Sequence, residues 1–262
     1  MHTIEIIILG IIQGLTEFIP ISSSGHLVIA QNFFSGASDH LFLEFINLGT
    51  LLALVVFFRK KIVSIVRGIF VERKYKLALN ILITAIPAGL IGYLLSDFIG
   101  STAFFGSLGV VMVTLATVGV VMVLLEHLPK ASAVKDGEPL SSLRALIIGL
   151  AQVFALIPGV SRSGSTIIAG RLSGLNAASA AEYSFLASLP IMIGVTLKIF
   201  VSDRDYLMAN FVPLMIGNVA AFVAGVFAIG FLMKYLANHS LAIFGWYRIG
   251  LAAVLGLVLL VQ

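Results

Sequence analysis

Long, predominantly apolar runs constrain this chain more than any other feature of its sequence. Leu77–Ile99, Phe104–Leu125 and Phe211–Leu232 are each long enough to cross about 30 Å of hydrocarbon as a helix. Charged residues make up 11% of the sequence, whereas soluble domains contain about 25%. Lipid leaves the backbone only helices or closed barrels, and these runs lack the alternation of barrel strands. The sequence therefore predicts an all-α integral membrane protein.

Other compositional features narrow the class of protein. The sequence contains no cysteine, which excludes disulfides and thiolate metal sites. The formal net charge of +4 is small, and no basic patch with interleaved aromatic residues occurs, so nucleic acid is not an expected partner. The segment Met1–Ile12 carries Glu5 where a signal peptide has a basic start, so no cleavable signal peptide is expected.

An internal repeat divides the chain. The sequence "GIIQGLTEFIPISSSGH" (Gly10–His26) resembles "GLAQVFALIPGVSRSGS" (Gly149–Ser165) at a constant shift of 139 positions. The shift pairs identical residues: Gly10 with Gly149, Gln13 with Gln152, Ser22 with Ser161, Ser24 with Ser163, and Gly25 with Gly164. Because a polar register of this kind seldom matches by chance in apolar sequence, we interpret it as a repeat.

Each half is predicted to contain a re-entrant helical hairpin followed by three spans. The first repeat covers residues 1–125 with its hairpin at 1–35, and the second covers residues 142–262 with its hairpin at 142–176. The hairpin segments are too short to span, and irregular backbone at membrane depth is tolerated only when buried in protein or lining a wet cavity. The six expected transmembrane helices are Leu41–Phe58, Leu77–Ile99, Phe104–Leu125, Tyr183–Val201, Phe211–Leu236 and Leu241–Val261.

The distribution of basic residues predicts the orientation. Seven of the sixteen Lys and Arg residues fall between Arg59 and Lys76, which places that segment in the cytoplasm. The polar linker at residues 126–141 is then also cytoplasmic, and Ser202–Asn210 lies outside. Three crossings per half give the repeats inverted topology. Such repeats place a functional site near the midplane, where their interrupted helices meet.

The first hairpin carries candidate catalytic residues. Gln13 and Glu17 are four residues apart and share a helix face, and Ser23 and His26 follow the proline that ends this helix. A carboxylate in lipid-embedded sequence is expensive and marks a candidate functional site. A purely structural interpretation, in which Glu17 pairs with an arginine, stays open.

The second hairpin carries "PGVSRSGST" (Pro158–Thr166), which is typical of an anion site. Free backbone N–H groups at a helix start attract anions, and the Arg162 guanidinium suits phosphate. A salt bridge from Arg162 to Glu17 without a ligand is the alternative. The predicted substrate-binding residues are Gln13, Ser24, Gly25, Ser161, Ser163, Gly164 and Thr166.

These residue types indicate phosphoryl transfer, which needs a positioned nucleophile and donors around the phosphate oxygens. Superposing the halves places Ser23 opposite Arg162. We expect Ser23 to be the nucleophile, with His26 or Glu17 accepting its proton; His26 as nucleophile is the rival assignment. Glu17 and Gln13 are candidate ligands for Mg²⁺ or Ca²⁺, with the substrate's phosphates supplying further ligands.

Other polar residues receive structural assignments. Arg248, in "FGWYRIG", is expected to form a structural ion pair rather than to act in catalysis. Glu44 and Glu182 are expected at the interface. No metal site is expected at the remaining histidines, which are His2, His40, His127 and His239.

The motifs resemble those of the bacterial undecaprenyl-pyrophosphate phosphatase family of the bacitracin-resistance type. The family's (E/Q)xxxE motif matches Gln13–Glu17, its Ser…Gly-His segment matches Ser23–His26, and its PGxSRSxxT motif matches Pro158–Thr166. Glutamine at position 13 weakens any mechanism that needs two carboxylates there. The positions matched to family functional residues are Gln13, Glu17, Ser23, His26, Ser161, Arg162 and Thr166.

The resemblance implies hydrolysis of undecaprenyl pyrophosphate to undecaprenyl phosphate and inorganic phosphate. This reaction recycles the lipid carrier of cell-wall synthesis and confers bacitracin resistance. A divalent cation, a location in the bacterial inner membrane and an active site open to the periplasm are implied as well. The oligomeric state is not fixed by the sequence, and a homodimer stays open.

Two alternative functions share features with this sequence. A secondary transporter or a flippase for a polyprenyl-phosphate lipid is the main one, because inverted repeats with interrupted helices are typical of transporters. A phosphatidate-phosphatase-like enzyme is disfavoured, because such enzymes need a nucleophilic histidine where Ile167 and Ile168 stand and a Lys…Arg-Pro element that this sequence lacks.

Overall fold

A computed structural model describes residues 2–30, 34, 39–128 and 140–261 of the chain. Over these ranges the chain forms fourteen α-helices and no β-strand. The helices of the first half are α1 (Thr3–Phe18), α2 (Ser23–Ala30), α3 (His40–Phe45), α4 (Asn47–Phe57), α5 (Arg59–Phe70), α6 (Lys76–Leu94), α7 (Ser96–Ser101) and α8 (Leu108–Leu125). Those of the second half are α9 (Ser142–Val153), α10 (Arg162–Leu172), α11 (Ala177–Ser202), α12 (Arg204–Ala209), α13 (Phe211–Leu236) and α14 (Ala242–Val261).

Six stretches in the described ranges are long and apolar enough to cross a membrane, as the sequence predicted. They are His40–Phe57, Lys76–Leu94, Leu108–Leu125, Ala177–Ser202, Phe211–Leu236 and Ala242–Leu260. The chain is therefore a multi-pass, all-α membrane protein.

The ends of these spans differ from the prediction for local reasons. The first span is divided at Ile46, where α3 ends and α4 begins. The fourth starts at Ala177, six residues earlier than expected, because Asn176 caps it: Asn176 Oδ1 accepts a hydrogen bond from the Ser179 N–H at 2.8 Å. A capping asparagine before an alanine-rich segment is a start signal that hydropathy alone does not register.

The basic segment predicted as a loop is largely helical. Helix α5 occupies Arg59–Phe70 and exposes Val63 and Phe70 beside its charges. Lys61 Nζ lies 2.7 Å from Glu182 Oε1, so this helix is joined by an ion pair to α11. Residues 129–139, which form most of the predicted 126–141 linker, lie outside the described residues.

The two shorter apolar helices each pack against a span of the other half. Helix α1 packs along α13, and α9 packs along α6. Glycine permits the close approach, because a Cβ added at Gly10 would lie 2.5 Å from the Gly217 carbonyl oxygen, and one added at Gly149 would lie 2.7 Å from that of Thr84. Small residues at helix contacts are the usual means of tight packing in membranes. These contacts position the ends of α1 and α9, from which the two site loops leave.

Candidate active site

Two loops of matching conformation form the frame of the candidate site. The first loop lies between α1 and α2 and the second between α9 and α10. Ser22 and Ser161, which are related by the 139-residue shift, both have φ of 76°. The Ser22 hydroxyl accepts from the Gly25 N–H at 3.2 Å, and the Ser161 hydroxyl accepts from the Gly164 N–H at 3.1 Å. A left-handed serine is uncommon, and two of them stand at positions that the 139-residue shift relates.

The loops touch each other at glycines. A Cβ added at Gly25 would lie 3.3 Å from the Gly159 Cα. Gly159 has φ of 86°, and an added Cβ there would collide with the Thr114 hydroxyl. That hydroxyl donates to the Pro158 carbonyl at 2.7 Å, which fixes the second loop against α8. Glycine at 159 is therefore required both by backbone conformation and by space.

Arg248 joins the two loops. Its side chain is completely buried, and it donates to the carbonyl oxygens of Pro20 at 3.1 Å, Gly159 at 2.5 Å and Val160 at 3.0 Å. The expected ion pair is wrong: among the described residues no carboxylate contacts this guanidinium. Carbonyl oxygens at helix ends lack intrahelical partners and accept from Nη1 and Nη2 of Arg248 instead, whereas its Nε has no partner among the described residues. The charged side chain in the last apolar run was the available signal, but its partners are not readable from sequence.

A carboxylate at the end of α1 gathers the polar side chains of both loops. Glu17 Oε2 accepts from the Ser23 hydroxyl at 2.7 Å and from Gln13 Nε2 at 3.1 Å. Its other oxygen, Oε1, forms an ion pair with Nη2 of Arg162, the first residue of α10. Four predicted site residues from two distant segments thus meet at one group. Asn47 also belongs here, since its Oδ1 accepts from Gln13 Nε2 at 2.5 Å; sequence reasoning missed it because it lies inside an otherwise apolar span.

The ring of His26 faces away from this cluster. Nδ1 lies 2.7 Å from the Ser22 carbonyl, so Nδ1 carries the proton, and Nε2 lies 2.8 Å from the Tyr247 hydroxyl. Burial lowers the pKa of His26 below its ordinary value, so the neutral ring donates through Nδ1 and accepts through Nε2. In this geometry Glu17, and not His26, is hydrogen-bonded to the Ser23 hydroxyl.

The remaining predicted binding residues are distributed unevenly. Ser163 is buried and its hydroxyl lies 3.2 Å from that of Ser161. Thr166 is buried inside the helix contact between α10 and α11, where its hydroxyl lies 2.5 Å from that of Ser184. Ser24 is exposed, with its hydroxyl 3.2 Å from that of Ser22. The hydrogen bonds that the structure gives to the Thr166 hydroxyl are all to other protein groups, namely the carbonyls of Arg162 and Ser163 and the Ser184 hydroxyl.

A cavity of about 230 Å³ opens beside the cluster. Four polar residues contribute to its wall, namely Glu17, Asn47, Gln152 and Arg162. The other wall residues are mostly apolar: Ala88, Ala155, Leu156, Ile191, Met192, Val195 and Thr196. Apolar walls with a few convergent polar groups are typical of ligand sites. A larger cleft of about 1050 Å³ lies at the basic segment, lined by Lys61, Glu72 and Lys74 among others, and it contains none of the predicted site residues.

Two residues that line the cavity each have a buried polar atom without a hydrogen-bond partner among the described residues. They are Nη1 of Arg162, a donor, and Oε1 of Gln152, an acceptor. Buried polar atoms are normally paired, so a water molecule, an ion or a ligand is the expected partner of each.

The residues present fit a divalent cation only in part. The described residues contain no group of three His, Asp or Glu side chains that could hold a metal ion. Gln13 turns its amide nitrogen to Glu17, so it acts as a donor there. The Glu17 carboxylate and the Gln152 amide oxygen are ligands of the kind that Mg²⁺ and Ca²⁺ prefer. A cation bound here needs further oxygens from its co-ligand.

The fold and the cluster define the class of protein: an all-helical membrane protein whose two loops bring a carboxylate, a hydroxyl and a guanidinium together beside a cavity. Within that class, the sequence model of the family described as "Bacitracin resistance protein BacA" matches residues 6–254. The chain belongs to this family.

Relatives with assigned names cover nearly the whole chain. An undecaprenyl-diphosphatase of Acinetobacter baumannii is 37% identical, over 99% of this chain and 95% of its own length. Undecaprenyl-diphosphatase 1 of Clostridioides difficile is 38% identical, over 99% and 96%. An undecaprenyl-diphosphatase of Nitrosomonas eutropha is 36% identical, over 96% and 92%.

Proposed function

We propose that this protein hydrolyses undecaprenyl diphosphate to undecaprenyl phosphate and inorganic phosphate, the activity for which its relatives are named. The reaction returns a lipid carrier to cell-wall synthesis and accounts for the bacitracin resistance in the family description. The observation that carries the proposal is the hydrogen bond of 2.7 Å from the Ser23 hydroxyl to Glu17 Oε2, with Arg162 bound to the other oxygen of the same carboxylate.

The first step is attack by Ser23. The Ser23 oxygen bonds to the terminal phosphorus while Glu17 takes the hydroxyl proton. The bond from that phosphorus to the bridging oxygen breaks, and undecaprenyl phosphate leaves with the electron pair. The two atoms that exchange the proton are already in hydrogen-bond contact, which meets the geometric requirement for general base catalysis.

The Arg162 guanidinium has two roles in this mechanism, one for each of its Nη atoms. Nη2 holds Glu17 in position, and Nη1, which has no partner among the described residues, binds a phosphate oxygen of a substrate in the cavity that Arg162 lines. Charge that develops on the phosphoryl oxygens is then met by a fixed donor. Water subsequently cleaves the phosphoserine ester, and Glu17 returns the proton to Ser23. A divalent cation held by Glu17 and the diphosphate would neutralise further negative charge.

Trapping the covalent intermediate tests the assignment of the nucleophile. The wild-type protein is mixed with substrate labelled with ³²P at the terminal phosphate and quenched within milliseconds. Label that survives acid and is lost in base identifies phosphoserine and supports Ser23. Label that survives base and is lost in acid identifies phosphohistidine and supports His26. Absence of phosphate release by the purified wild-type protein with Mg²⁺ or Ca²⁺ would contradict the proposed reaction itself, and lipid movement in liposomes would then support a flippase.

We further propose that the protein lies in the bacterial inner membrane as two inverted repeats, with two re-entrant hairpins and its site open to the periplasm. The basic helix α5 supports a cytoplasmic position for that end of the bundle. Since the chain has no cysteine, single substitutions can be labelled without background. Asn210→Cys should react with an impermeant maleimide in intact spheroplasts, and Arg73→Cys should react only after permeabilisation. The opposite pattern would reverse the orientation.

A further inference from the structure

Gln152 is the counterpart of Gln13 at the 139-residue shift, but its surroundings differ. Gln13 contacts Glu17 and Asn47 through its amide nitrogen. The Gln152 side chain is 1% exposed, and its Nε2 donates to the Thr84 carbonyl at 3.3 Å. Its Oε1 accepts no hydrogen bond from any described residue. A buried amide oxygen of this kind is rare in folded proteins and calls for a ligand.

The direction of the Gln152 amide is fixed by chemistry. Thr84 offers a carbonyl oxygen, so the nitrogen of the amide must face it; a flipped amide would bring two acceptors together. Gly149, one turn earlier on α9, lets this helix approach the Thr84 backbone closely. The oxygen of Gln152 is consequently turned away from the Thr84 carbonyl, and Gln152 is one of the residues that line the cavity beside Glu17 and Arg162.

The charge of the proposed substrate determines what this oxygen can bind. Diphosphate presents only acceptor oxygens when it is fully ionised, and an amide oxygen repels them. The orphaned Nη1 of Arg162 provides the donor for the diphosphate itself. An amide oxygen becomes favourable in the same cavity when a divalent cation lies between it and the phosphates, because amide, carboxylate and phosphate oxygens are all preferred ligands of Mg²⁺ and Ca²⁺.

We propose that Gln152 Oε1 is a ligand of the divalent cation that enters with the diphosphate, and that the cation site is therefore shared between the two halves of the chain. This inference rests on the proposed function, since it takes the diphosphate as the co-ligand. The proposal gives α9, the helix that precedes the second loop, a role in cation binding that its apolar sequence does not suggest.

The test measures cation binding without turnover. Detergent-purified protein is saturated with a methylene-bridged prenyl diphosphate analogue, and Mn²⁺ binding is followed by electron paramagnetic resonance. Gln152→Leu removes the oxygen at similar volume and should weaken Mn²⁺ binding at least tenfold. Gln152→Glu keeps an oxygen and adds charge, and should strengthen it. Thr117→Val, on the exposed face of α8, changes a polar residue outside this cavity and should leave the Mn²⁺ affinity within about twofold.

Each result decides a separate question. Mn²⁺ affinities equal to wild type in both Gln152 variants overturn the inference. Analogue binding that Gln152→Leu weakens equally with and without Mn²⁺ also overturns it, since Gln152 would then contact the substrate directly. If Gln152→Leu does not fold, the Gln152→Glu result decides alone. Phosphate release by the wild type is assayed in parallel, so failure of the proposed function appears there, independently of the Mn²⁺ affinities.

Discussion

The two site loops have the same backbone and opposite chemistry. Ser22 and Ser161 share φ of 76° and cap the helix that follows them in the same way. The next residue differs: Ser23 in the first loop and Arg162 in the second. Each of these side chains reaches the same carboxylate, Glu17. The two loops thus share a backbone frame, whereas the side chains that reach Glu17 differ between them at the position after the left-handed serine.

The surroundings of the loops differ as well. His26 follows the first loop and bonds to Tyr247 of α14, while Ser165 stands at the equivalent place after the second and donates to the Arg162 carbonyl at 3.0 Å. Arg248 contacts both loops in the same way, because its guanidinium donates hydrogen bonds to backbone carbonyls in each. Substitutions that make the loops more alike, or that remove the contacts between them, test this comparison.

The largest effect is expected for Ser23→Ala. Loss of the nucleophile should lower kcat by about 10⁴-fold or more, because no other hydroxyl contacts Glu17 among the described residues. Substrate binding, measured by equilibrium dialysis, should change less than threefold. Thr117→Val on the exposed face of α8 is the control, since Thr117 bonds only within its own helix. Near-normal turnover of Ser23→Ala would remove Ser23 from the mechanism.

Arg162→Ser makes the second loop match the first at the divergent position. We expect a loss of about 10³-fold in kcat/KM, since a donor aimed at the phosphoryl oxygens disappears. The free energy of unfolding should fall by about 1–2 kcal/mol, because Glu17 loses its partner in a site that is still partly accessible to solvent. Adding Glu17→Gln should recover part of the stability and none of the activity. Recovery of activity instead would show that the pair is structural only.

Arg248→Met keeps the volume of the side chain and removes the link between the loops. Three backbone carbonyls lose a charged donor, so stability should fall by about 3 kcal/mol. The midpoint of thermal inactivation in detergent reports the change. Arg248→Lys should recover only part of it, since an ammonium group cannot reproduce the planar fork. Equal stability of wild type and Arg248→Met would contradict the proposed link.

The smallest effect is expected when the left-handed serines are replaced by glycine. Ser22→Gly and Ser161→Gly each relieve an unfavourable φ and each remove a capping hydroxyl, so the two contributions nearly cancel, within about 1 kcal/mol. Because the loops are equivalent, both variants should shift the unfolding midpoint by the same amount. Shifts of opposite sign would show that the shared conformation has different causes in the two halves.

Much of the fold was predictable because membrane spans depend on hydropathy and length alone. The six spans follow from apolar runs, and the start of α10 follows from the Ser and Gly pattern before Arg162. The division of the first span at Ile46 and the helix at Arg59–Phe70 were not predicted. Both features depend on packing and on the position of the membrane surface, and a hydropathy profile contains neither kind of information.

The charged residues of the candidate site could be predicted from the sequence, because burying a charge in apolar surroundings is energetically unfavourable. Glu17 and Arg162 attract attention because ionised groups in apolar sequence need partners, and the structure pairs them. The sequence did not predict the contacts of Asn47, Tyr247 and Gln152. An amide or phenol side chain inside a span is common, and by itself it does not indicate a functional role. Their roles arise from contacts between segments more than thirty residues apart, which no local pattern encodes.

Arg248 lies on a helix that the ribosome makes after both loops. Until that helix inserts, the carbonyls of Pro20, Gly159 and Val160 lack the donor that joins them. A nascent chain therefore holds Ser23 and Glu17 before it holds the arginine that joins the two loops. The link between the loops is completed only by the last helix of the chain to be made.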